Sequence, residues 1–159
     1  MNPALLHLIT THVPVMGTSF GLCLLLLALL RRSEELKRVA LLVFVVAALL
    51  ALPAYLSGPS ASDLLRRLMP GMTMDAGDQH AEIAILALAG SLVLGVVSLV
   101  GLILFRNGRS LPTGWLVLVL LLALVACGLL SWTANLGGRI RHLEIRPQVS
   151  AVLVCAVEV

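Results

Sequence analysis

Charge and aromatic rings are scarce in this chain. Only 12% of its 159 residues are charged and 4% are aromatic, while 60% are hydrophobic. A soluble domain carries roughly a quarter charged residues. So few charges exclude a surface that faces water all round, and lipid must cover the outside. The cysteines Cys23, Cys127 and Cys155 form no C-x-x-C and no C-x-x-C-H, which excludes a thioredoxin-type site and covalent haem attachment. They read as small apolar packing residues. H-E-x-x-H, G-x-S-x-G and phosphate-cradling glycine loops are missing. An electron-transfer or accessory subunit therefore fits better than a stand-alone enzyme. No basic stretch is interleaved with aromatics, which argues against a nucleic-acid partner. No charge stands in the middle of an apolar run, which argues against an ion pathway. The first apolar run has no basic residue before it and Arg31-Arg32 after it. A secretory signal has the reverse order, so a retained helix is expected.

What the chain does have is long apolar runs. A hydrocarbon core about 30 Å thick takes about 20 apolar residues per helix. Residues 13–30, 39–57, 83–105 and 115–134 meet that length. The expected fold is all-α, a four-helix transmembrane up-down bundle over residues 1–146, followed by an apolar tail at 147–159. Pro14 is expected in the first turn of the first span, Pro53 bends or ends the second, and Gly137-Gly138 stop the fourth. A longer loop, 58–80, holds a short amphipathic piece at 62–69. Ala87, Ser91, Gly95 and Ser98 stripe the third span with small residues, the pattern of close packing inside a bundle. The short connections carry Arg31, Arg32, Lys37, Arg38, Arg106 and Arg109, and the other side carries Arg66, Arg67, Arg139, Arg141 and Arg146. The dense first connection assigns its side to the cytoplasm. Both termini then lie on the outer, periplasmic side of a bacterial inner membrane, with Tyr55 and Trp132 in an aromatic belt. Arginines beside the spans suit anionic headgroups.

All four histidines, His7, His12, His80 and His142, fall on that same outer side. Imidazole ligates metals and haem iron and carries protons near neutral pH. The first and third spans run in the same direction and stand diagonal in an up-down bundle. His12 and His80 are then expected to face each other as axial ligands of a b-type haem, with His142 and His7 as alternates. Arg139 and Arg141 suit its propionates. The same four imidazoles, with Glu82 and Asp78 as oxygen ligands or acceptors, suit copper or zinc instead. Met69, Met72 and Met74 add thioethers that favour copper. The residues alone leave haem, another metal or proton chemistry, and a purely structural role open.

The stretch His7-Leu-Ile-Thr-Thr-His12-Val-Pro14-Val-Met-Gly17-Thr18, the run Arg32-Ser-Glu-Glu-Leu-Lys-Arg38, the turn Pro70-Gly71 with His80 beyond it, and the ending Thr133-Ala-Asn-Leu-Gly-Gly-Arg-Ile-Arg-His142-Leu-Glu-Ile145 resemble an uncharacterised family of bacterial four-helix membrane proteins. The resemblance covers roughly residues 5–146. Thr11 departs from the asparagine usual before the second histidine, and the loop methionines are outside the pattern. The resemblance implies a multi-pass inner-membrane protein whose relatives are sometimes joined to c-type cytochrome modules. That turns the histidines toward redox work beside other subunits of a respiratory or redox membrane complex.

Overall fold

In a lipid-facing chain every backbone polar group must find its partner within the protein, and helices do this within one segment. A computed structural model of the protein describes residues 3–68, 75–106 and 109–141. The described residues form α1 (Pro3–Arg31), α2 (Glu34–Leu56), α3 (Gly58–Leu68), α4 (Asp75–Leu104) and α5 (Thr113–Arg141). Four of these, α1, α2, α4 and α5, are long and apolar enough to cross a membrane. They form an antiparallel up-down bundle in the ring order α1–α2–α4–α5, with α1 and α4 at opposite corners and α3 laid against α1.

The helices run past the apolar stretches that mark them in the sequence. The α1 helix begins at Pro3, so Pro14 stands inside it rather than in its first turn. Pro53 also lies inside its helix, α2, which continues to Leu56. The glycines Gly137 and Gly138 do not stop α5, which reaches Arg141. Hydropathy marks where a helix crosses hydrocarbon, whereas the backbone stays helical into the headgroup layer. The amphipathic piece of the long loop is α3, which starts at Gly58, four residues earlier than expected. The tail at 147–159 and the methionines Met69, Met72 and Met74 lie outside the described residues.

The inward faces are built from small side chains. On α2 they are Ala40, Ala47, Ala48, Ala51 and Ala54 around the fully buried Phe44 and Leu41; on α5 they are Ala123 and Ala126 beside Val119 and Leu116. The small stripe of α4 points inward as expected, with Ala87, Ser91 and Ser98 buried. A methyl group on Gly95 would lie 2.5 Å from the Ala48 Cβ, and one on Gly21 would lie 2.7 Å from the Phe44 ring. The glycines therefore set how near α4 and α1 come to α2. Most of the other large residues point outward: Phe20 is 62% and Leu30 82% exposed. In water such a surface would associate; in a bilayer it meets acyl chains.

The end holding the two short connections is locked by polar contacts. Ser33 caps α2, its Oγ accepting the Leu36 N–H at 3.3 Å. Arg32, at φ 52°, holds the left-handed position of a Schellman turn, with Ser33 N–H donating to Ala28 O at 3.1 Å and Arg32 N–H to Leu29 O at 3.3 Å. The Arg38 guanidinium donates to Phe105 O (2.6 Å) and Arg109 O (2.7 Å), and Glu34 accepts the Leu111 N–H at 3.1 Å. Two residues of α2 thus fix the link between α4 and α5.

Replacing Gly95 by alanine forces two Cβ atoms fixed by backbone into one space. It is expected to lower unfolding stability in detergent by about 1–3 kcal/mol. The same change at Gly128, with nothing within 4 Å of the new methyl, is expected to be neutral or slightly stabilising. Equal melting temperatures for the two variants would contradict this packing.

Candidate functional site

The opposite end of the bundle gathers the start of α1, the end of α2, the start of α4 and the end of α5. Two imidazoles meet there. The His7 Nδ1 lies 3.0 Å from Ala54 O and 2.9 Å from Ser57 Oγ. The His80 Nδ1 lies 3.0 Å from Thr133 O. A carbonyl oxygen only accepts, so both Nδ1 atoms carry the proton. In the neutral rings the lone pair is then on Nε2. Each histidine ties its own helix to the next: His7 joins α1 to α2, and His80 joins α4 to α5. The rings are half-buried, with centroids 6.3 Å apart and planes at 85°. This edge-on contact joins the two diagonal helices.

The surroundings are small and already hydrogen-bonded. The Ser57 hydroxyl donates to Ala54 O at 2.9 Å, and the Thr133 hydroxyl to Leu129 O at 2.8 Å. Gly137 follows Thr133 by one turn. A Cβ on it would stand 3.3 Å from the His80 Cε1, and one on Gly58 would stand 3.6 Å from the His7 Cε1. A side chain at Gly137 would press on the His80 ring, while one at Gly58 would make ordinary contact with His7.

His12 has a different setting. It is exposed, its Nδ1 bonds Leu8 O of its own helix at 2.6 Å, and it lines an open apolar surface with Val13, Met16, Gly17 and Phe20. The partner that faces His80 is His7, and the reason is helical phase. Five residues along a helix turn the side chain by about 140°, so an inward His7 turns His12 outward. The expected pairing of His12 with His80 assumed a chain not yet helical before residue 13.

The remaining candidates divide. Glu82 and Arg139 are exposed at this end, and the Arg141 side chain and His142 lie outside the described residues. Arg139 has interactions of its own. Asp78 faces Arg66 at 3.9 Å, both exposed. Among the described residues no three His, Cys, Asp or Glu side chains converge as a metal-binding group. Sequence reasoning missed Ala54, Ser57, Thr133, Gly58 and Gly137. These are small residues around the end of α2, the start of α3 and the final two to three turns of α5.

Replacing His7 or His80 by alanine removes an interhelical hydrogen bond and a ring contact, and is expected to cost about 1–2 kcal/mol each. His12→Ala is expected to stay within about 0.5 kcal/mol. In a double-mutant cycle, His7 and His80 are expected to couple by at least about 0.5 kcal/mol. Denaturant titration of the four proteins checks this, and additive losses would show that the rings do not interact.

No protein-family model matches the chain, and neither the curated proteins nor the solved structures gave a match.

Proposed function

We propose that this integral membrane protein holds a b-type haem between His7 and His80 and serves electron transfer or redox sensing. The observation that carries the reading is the matched pair of imidazoles. Both Nδ1 protons are given to backbone carbonyls, and both Nε2 lone pairs are left for a ligand. A hydrogen bond from Nδ1–H fixes the tautomer, orients the ring and strengthens Nε2 as a donor.

The pair of imidazoles that meet at this end matches what a haem takes from a protein. A haem brings four nitrogens of its own and takes two from the protein. Bound there, it would supply one-electron chemistry. The chain's own residues bind and orient: Ala54, Ser57 and Thr133 hold the two rings, and Gly137 lets the α5 backbone come close to His80. Arg139, on α5 beyond Thr133, is the candidate to face a propionate. In this reading the histidine end faces the periplasm and the protein works in a bacterial inner membrane, beside other subunits of a redox complex.

An absorption spectrum of the detergent-purified protein, made in cells supplied with haem precursor, tests the reading. A Soret band and a sharpened α band on dithionite reduction are expected. Both are expected to vanish in His7→Ala and in His80→Ala and to persist in His12→Ala. A protein without these bands would overturn haem binding, and stoichiometric copper or zinc in its place would assign the pair to that metal.

A further inference from the structure

The two ends of the bundle look balanced in the sequence and are not balanced in the folded chain. Among the residues whose side chains are described, the histidine end carries Arg66, Arg67 and Arg139 against Asp63, Asp78 and Glu82. The basic charge there is matched by acidic charge. The connection end carries Arg31, Arg32, Lys37, Arg38, Arg106 and Arg109 against Glu34 and Glu35 alone.

Internal contacts sharpen the difference. Lys37 is spent on Glu34 at 2.6 Å. Arg38 is spent on the carbonyls of Phe105 and Arg109. Glu34 is spent on Lys37 and the Leu111 N–H, so it neutralises none of the outer arginines. Arg31, Arg32, Arg106 and Arg109 are all exposed. No hydrogen bond or ion pair joins any of these four side chains to another described residue. Arg31 and Arg32 close α1, while Arg106 and Arg109 flank the link from α4 to α5. Arg38 fixes that link by holding the Arg109 carbonyl. The guanidiniums therefore stand on a rim at the level where the hydrocarbon-spanning helices end.

We propose that this rim is a docking surface for anionic phospholipid headgroups. Guanidinium matches phosphate oxygens with paired N–H donors. Basic residues beside a membrane surface are drawn to acidic lipid over a Debye length. The exposed apolar side chains next to the rim, Leu30 and Leu104 among them, give the acyl chains of the same lipid a wall to lie on. Charge and apolar surface together select an anionic lipid over a free anion. This inference is independent of the haem reading.

The test is native mass spectrometry of the full-length protein in neutral detergent, titrated with phosphatidylglycerol or phosphatidylcholine. The expected result is retention of phosphatidylglycerol over phosphatidylcholine, insensitive to inorganic phosphate. The preference is expected to fall by at least roughly tenfold in the variant Arg31→Gln, Arg32→Gln, Arg106→Gln, Arg109→Gln. All four sites are exposed, and the helix content of that variant is expected to be unchanged by circular dichroism. Arg66→Gln with Arg67→Gln is expected to keep the preference. Equal retention of the two lipids, displacement by inorganic phosphate, or equal loss in both variants would overturn the proposal.

Discussion

How near the helices come to one another decides everything else in this protein. Lipid tails are as apolar as leucine, so a helix gains nothing by turning leucines inward. Close contact and dispersion must hold the bundle. Glycine and alanine permit that approach. Gly95 lies directly against Ala48, Gly21 receives the ring of Phe44, and the alanines of α2 present an almost smooth face. Apart from a few buried residues such as Phe44, Leu25, Leu41 and Leu94, the bulky side chains are left for the outside, where acyl chains are the solvent.

Close approach in turn fixes both polar ends. At one, Arg38 and Glu34 reach the α4–α5 link because α2 packs against α4. At the other, His7 and His80 reach carbonyls on neighbouring helices and each other across the diagonal. A bundle wider by the width of a methyl group would separate those rings. The core thus positions the candidate site without contributing a side chain to it.

Much of this was legible beforehand. Apolar run length gave four crossings, alternating direction gave the diagonal of α1 and α4, and the stripe through Ala87, Ser91, Gly95 and Ser98 gave the buried face of α4. The gathering of imidazoles was legible in part, because His7 and His80 do meet. Helix ends were not legible, since hydropathy falls where the membrane ends while the backbone remains helical. That hid the phase of α1, and with it the outward turn of His12. The true ring partners are backbone carbonyls of Ala54 and Thr133, which no residue type announces. Local turn signals also misled: Pro14 and Gly137-Gly138 sit within helices that tertiary packing carries through them.

The central claim is geometric: one imidazole from α1 and one from α4 share a single polar end, and that imidazole of α1 is His7. Cysteine cross-linking tests it most directly. With Cys23, Cys127 and Cys155 replaced by alanine, cysteines are placed in pairs at 7 with 80 and at 12 with 80, and bridged by a short bis-thiol reagent in membranes. The account predicts rapid intramolecular bridging of 7 with 80 and little of 12 with 80. Faster bridging of 12 with 80, or none for either pair, would contradict it.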